Sequence, residues 1–246
     1  MKSGTVSAIL AGSGIALNKT TTGTVTLSGA NTYTGATTVN GGSLFVNGST
    51  ASGSAVTVNN SGSTLGGSGA INGAVNIASS GANLSPGATG VGSTAILHTG
   101  ALTLASGSNF NIDLNNTTAG SGYDQLISLG AITINGSNLL ITAGSGLTIG
   151  SKFFILEDSS NSANTYGTFA NAVGGTVITA TNNGDTFLIN YADNGDGGLL
   201  GNDISLTLTT VPEPSTYVAG LLSLAALLWN QRRRLRAIDR RKAQNC

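Results

Sequence analysis

The sequence predicts an all-β chain, a parallel β-helix (β-solenoid) followed by one C-terminal transmembrane helix. Three observations carry this: short β-branched clusters between Gly- and Asn-rich turns, a body almost free of charge, and one largely Leu and Ala run, Ser223 its polar member, with arginines behind it. Charged residues are 8% of the 246, against roughly 25% in ordinary globular proteins, and the 37 glycines are about twice the usual share. Disordered chains also lack charge balance and apolar residues, but here 39% of residues are hydrophobic and they recur in clusters. That is the composition of many short strands joined by tight turns.

From residue 1 to 100 the clusters are three to five residues long, as in Thr24–Leu27, Ser43–Val46, Ala55–Val58, Ala74–Ile77 and Ala101–Leu104 just beyond. Their β-branched content favours strand. Asn40-Gly41-Gly42, Asn47-Gly48 and Asn72-Gly73 supply residues that tolerate positive φ between them. Strands this short bury no core alone, but stacked coils form a continuous apolar interior, and small Ala, Ser, Thr and Gly suit its corners. A β-sandwich is the other architecture that short, evenly spaced strands suit. From 101 to 210 the strands lengthen and the larger residues gather, in Asn109–Leu114, Phe153–Leu156, Thr186–Tyr191 and a last strand at Ile204–Thr210. This part reads as the C-terminal, better-packed part of the solenoid, a cap over its open edge. Residues 211–236 then form a third segment and 237–246 a basic tail.

In the third segment, Pro212 and Pro214 bracket Glu213 and force an extended stretch. Tyr217–Trp229 comes next, with Leu221, Leu222, Leu224, Leu227 and Leu228, and then Arg232, Arg233 and Arg234. As a helix this run is about 20 Å long, and extending it from Ser215 to Gln231 brings it near the lower bound for a membrane span. Tyr217 and Trp229 stand where aromatic belts belong, and the arginines reach the headgroups. Residues 1–211 carry three Lys, no Arg and eight carboxylates, whereas seven basic residues and one acid occur from Gln231 onward. A basic block confined to one end after an apolar run marks a membrane boundary, with the tail cytoplasmic and the β-body outside. The body lacks the cations that grip phosphates, which argues against nucleic acid as a partner.

The stretch Leu27–Leu44, LSGANTYTGATTVNGGSL, strongly resembles the autotransporter-associated β-strand repeat of bacterial surface and passenger proteins. Gly66–Gly73 and Ala82–Gly87 look like the stretches usually found downstream of such a unit. The resemblance implies a right-handed parallel β-helix and a surface role. The C-terminus resembles the PEP-CTERM sorting signal in its three parts, Pro212-Glu213-Pro214, the apolar helix and Arg232–Arg234. That resemblance implies a membrane protease-like exosortase as processing partner, near the Pro-Glu-Pro motif, and an envelope rich in exopolysaccharide. Ile9–Lys19 reads like the first part of a repeat unit, so the array is expected to continue upstream behind a signal peptide.

Catalytic chemistry is sparsely provided for. His98 is read as lying between strands, with no carboxylate within ten residues and no nucleophile elbow in the chain. Parallel β-helices host polysaccharide lyases and hydrolases, but a lyase needs a cation beside its base, and the body offers Lys2, Lys19 and Lys152. Glu157 and Asp158 are adjacent and point to opposite faces of a strand, which leaves Asp113 and Asp124 as the acid pair to consider. The run Asp193-Asn194-Gly195-Asp196-Gly197-Gly198 lacks the spacing and ligating Glu of a calcium loop and reads as a turn. Cys246 is the single cysteine, so neither an intrachain disulfide nor a cysteine metal site is expected. The expectation is a structural or adhesive envelope protein without cofactor, whose Asn, Ser and Thr rows meet extracellular polysaccharide. A passenger fragment of a larger surface protein is the alternative, and a polysaccharide-degrading enzyme the third.

Overall fold

The computed structural model describes residues 2–88, 93–160, 166–195 and 202–212. The chain divides into the units Met1–Val211 and Pro212–Cys246. Glu213, Pro214, the Tyr217–Trp229 run and Arg232–Arg234 lie outside the described residues. Among the described residues no helix is long and apolar enough to cross a membrane.

Strands fall into three walls. In chain order the first are β1 (Gly4–Val6), β2 (Leu17–Lys19), β3 (Thr24–Leu27), β4 (Thr37–Val39), β5 (Ser43–Val46), β6 (Ser49–Thr50) and β7 (Val56–Val58). Next come β8 (Thr64–Gly67), β9 (Ala70–Ile71), β10 (Val75–Ile77), β11 (Asn83–Pro86), β12 (Ile96–Thr99), β13 (Leu102–Leu104) and β14 (Asn109–Leu114). The last are β15 (Gln125–Ser128), β16 (Ile132–Ile134), β17 (Asn138–Ala143), β18 (Lys152–Asp158), β19 (Val177–Thr179), β20 (Thr186–Asp193) and β21 (Asp203–Thr210). Wall one is ordered β1-β3-β5-β8-β11-β14-β17, wall two β2-β4-β7-β10-β13-β16, and wall three β6-β9-β12-β15-β18-β21-β20-β19. From β5 onward each coil gives a strand to every wall in turn, and successive coils pair in parallel, which is a solenoid and not a sandwich.

Register makes the core. Val25, Leu44, Leu65, Leu84, Phe110 and Leu139 stand in one in-register column inside wall one, all essentially without solvent exposure. Val39, Val58, Ile77, Leu104 and Ile134 do the same inside wall two. Lys19 occupies that column in the first coil. Its stem is buried while its Nζ donates to the carbonyls of Thr21 and Gly41 at the corner, so an apolar stem substitutes for Val with the charge turned to backbone. Burial lowers its pKa from the ordinary lysine range.

Partners in wall two are 20, 19 and 19 residues apart up to Val75 (Leu17, Thr37, Val56, Val75), then 27 to Leu102 and 30 to Ile132. The added chain enters at one corner, between walls one and three: Asn47–Gly48 joins β5 to β6, whereas 87–95 joins β11 to β12 and 115–124 joins β14 to β15.

The far end is closed by a change of pairing. β18 is parallel to β15, but β21, β20 and β19 continue wall three as an antiparallel meander. The outer edge of β17 is met by side-chain amides. Leu139 N donates to Asn171 Oδ1 at 2.9 Å and Asn171 Nδ2 donates back to Leu139 O at 2.7 Å; Asn182 repeats the exchange with Ala143 at 2.9 and 2.8 Å. Each Asn thus acts as a one-residue strand, satisfying groups that an open edge leaves bare. Phe169 stacks on Phe110 at 6.0 Å, joining this cap to the coil interior.

Candidate functional site

Three of the sequence's candidate chemistries can be placed at once. His98 is not between strands: it lies in β12, half-buried on the outward row of wall three between Ala70 and Ile127. The β-propensity of Ile96-Leu97-His98-Thr99 outweighs the polar ring, because an outward position in a strand leaves that ring in contact with water. Glu157 and Asp158 do face opposite ways; Glu157 Oε1 accepts from Gln125 Nε2 at 2.7 Å outside, and buried Asp158 accepts the Tyr166 hydroxyl at 2.9 Å. Asp193 is the last residue of β20 and pairs with Lys152 at 2.5 Å, Asn194 and Gly195 follow the strand, and Asp196–Gly198 lie outside the described residues. That pairing and a bond from the Ser205 hydroxyl hold the Asp193 carboxyl low although burial opposes them. Among the described residues no group of three or more His, Cys, Asp or Glu is placed to hold a metal. Pro212 lies just beyond β21 in exposed chain; Glu213, Pro214, the apolar run and its arginines lie outside the described residues.

Asp113 and Asp124 do come together. Asp124 is fully buried, and its two oxygens accept from Ala95 N at 2.8 Å and Asp113 N at 3.0 Å. It therefore ties the base of the 115–124 insertion to the end of the 87–95 insertion. With both oxygens engaged and none in contact with water, the pair acts as a structural tether. Burial pushes the Asp124 carboxyl up to about 8, reinforced by the Asp113 charge and opposed by the two N–H bonds. Burial likewise raises Asp113 to about 6, against a bond from Thr142. An unfolded Asp titrates near about 4, so between about pH 4 and 8 the folded chain keeps protons that the unfolded chain has lost. Stability is then highest at the acid end of that window and falls as pH rises through it. Thermal midpoints measured from pH 4 to 9 check this: the decline should be shallower in Asp124→Asn, and a midpoint rising with pH across the window would contradict it.

The broad candidate surface is the outside of wall two. Asn18, Thr38, Thr57, Asn76, Thr103 and Thr133 form one outward column in register, at a strand spacing of about 4.8 Å. Beside it runs an exposed column of Ala16, Ala36, Ala55, Ala74, Ala101 and Ala131. The carbonyls of Ala36, Ala55, Ala74, Ala101 and Ala131 each accept the N–H that opens the preceding coil's strand, at 2.8–3.0 Å. Methyls and hydroxyl or amide groups thus alternate on a face whose two columns hold no ionised side chain. Wall one adds an asparagine ladder, Asn109 Nδ2 to Asn83 Oδ1 at 3.0 Å and Asn138 Nδ2 to Asn109 Oδ1 at 3.2 Å. Such ladders stiffen a parallel stack.

The model of the passenger-associated-transport-repeat family matches residues 17–46. That segment runs from β2 to the end of β5, one full coil and the next strand of wall one. No curated protein matches the chain. Residues 17–46 are thus similar to a passenger-type repeat, and they are built here as the repeating coil of a parallel β-solenoid.

Proposed function

We propose that this chain is an exported, non-enzymatic surface protein, structural or adhesive, whose solenoid walls hydrogen-bond with extracellular polysaccharide. The observation that carries the reading is the face of wall two, where neutral hydroxyls and amides recur with every coil beside a column of methyls. A repetitive, uncharged hydrogen-bonding surface suits a repetitive, uncharged and hydrated ligand. The passenger-type repeat at residues 17–46 supports a place outside the cell, as part of a larger surface protein or on its own. Parallel crossovers are right-handed in the great majority of sheets, so the coil is given that hand. Pro212-Glu213-Pro214, the Tyr217–Trp229 helix and Arg232–Arg234 would anchor the chain in the membrane and present it to an exosortase-type enzyme. Exposed Val211 and Pro212 after β21 suit such processing.

The test pairs location with binding. Protease added to intact cells should degrade the β-body, and mass spectrometry of the mature chain should find a C-terminus near Pro212–Pro214. Purified full-length chain should co-sediment with neutral extracellular polysaccharide and release neither reducing ends nor unsaturated sugars. A body shielded from protease, or a chain left wholly in the supernatant, would overturn the proposal.

A further inference from the structure

Gly87, Ala88 and Ser93–Ala95 border a concave site on the outside of wall one. Leaving β11, the chain turns back so that Gly67 and Gly87 exchange N–H···O bonds, both at 2.8 Å. Ala88 N donates to Ser93 Oγ at 3.0 Å, and Ala95 N is held by Asp124. This returning chain is one side of a cleft of about 300 Å³, at the small end of the usual range for ligand sites. The opposite side is Thr26 and Phe45 of wall one with Asn47 and Ser68 of the adjoining corner.

Phe45 is unusual in direction. Leu44 and Val46 on either side are fully buried, while Phe45 stands outward in the column Thr26–Phe45–Gly66. Its ring leans over Gly66, where a Cβ would come within 3.0 Å of Phe45 Cδ1. An aromatic face is thereby set in a cleft whose other side chains are hydroxyls, one amide and small methyls. Among the described residues no ionised side chain lines it; the Asp124 carboxyl stands behind Gly87 and Ala95 with both oxygens engaged.

We propose that this cleft binds a neutral pyranose unit, the Phe45 ring stacking on the sugar's C–H face while Thr26, Asn47 and Ser68 take its hydroxyls. The negative face of an aromatic ring attracts the weakly positive C–H groups of a sugar. A phosphate or uronate ligand would need cations, which the lining does not supply. The assignment rests on the polysaccharide reading above and narrows it: walls give many weak contacts, and this cleft gives one directional contact.

The experiment titrates the full-length chain with neutral hexasaccharides of glucose, galactose, mannose and N-acetylglucosamine, with an oligogalacturonate as the acidic counterpart. At least one neutral oligosaccharide should bind, and Phe45→Leu, which still covers Gly66, should weaken it about tenfold. Phe45→Trp should retain binding, and Thr26→Ala should weaken it without touching the ring. No binding by any neutral hexasaccharide, preference for the acidic one, or equal binding by wild type and Phe45→Leu would overturn the assignment. If polysaccharide co-sedimentation survives those results and is lost when Thr57 and Asn76 become Glu, the wall reading stands and the cleft alone fails. If co-sedimentation is absent from the start, both fail.

Discussion

Replacing Phe110 with alanine is expected to destabilise the β-body by about 3–5 kcal/mol, the range for emptying a large aromatic from a core. Phe110 is fully buried, continues the Leu84–Phe110–Leu139 column, and lies 13° from parallel with the Phe169 ring. The cavity would therefore open between coil and cap, where neither neighbour can move in: Leu84 and Leu139 are fixed by backbone pairing, and Phe169 by its own chain's bonds to β17. Equilibrium urea unfolding of the full-length chain measures the loss. A change below about 1 kcal/mol would show that the coil and the cap do not share a core.

The second large effect is at Gly67. Its φ is +121°, and a Cβ placed there would stand 2.2 Å from Val46 O and 2.6 Å from Val46 N, both backbone atoms that cannot rotate away. Gly67→Ala is expected to cost about 3 kcal/mol or more from left-handed strain and displaced backbone together. Gly62 is the control: its φ is +76° but nothing lies within 4 Å of its added Cβ, so alanine there costs about 1 kcal/mol. Thermal unfolding of the two variants side by side separates crowding from conformation. Equal losses would mean that the approach of adjacent coils is looser than these distances. Because Gly67 exchanges hydrogen bonds with Gly87, its substitution should also weaken any ligand held in the cleft.

Much of the coil is legible in the sequence because a solenoid strand obeys a two-residue period with small turn residues at fixed offsets. Thr24–Leu27, Ser43–Val46 and Asn109–Leu114 are strands with the bounds that alternation predicts. What alternation cannot reveal is which residue of a fully apolar run turns outward. Leu44-Phe45-Val46 gives no clue on its own, and only the register with Gly66 puts Phe45 outside. Lys19 misleads in the opposite sense, since a cation at an interior position is readable only from the carbonyls that meet it. The Asp113–Asp124 tether depends on an insertion that folds back, and the paired bonds of Asn171 and Asn182 look in sequence like any turn asparagine. His98 is misplaced by sequence reading because one polar residue hides a four-residue strand. Of the segment Pro212–Arg234, the described residues include Pro212 alone, so the structure does not bear on the sorting signal expected there.

The shared insertion corner has a geometric consequence. Coils of about 19 or 20 residues advance the stack by one strand spacing each, about 4.8 Å, whatever their side chains. Loops added at that corner change what is carried without changing the pitch. Length and cargo are thus independent variables in this architecture: duplicating a short coil would move the coils on either side of it apart by a fixed step, as a ruler gains a division, while a longer corner loop would leave their separation unchanged.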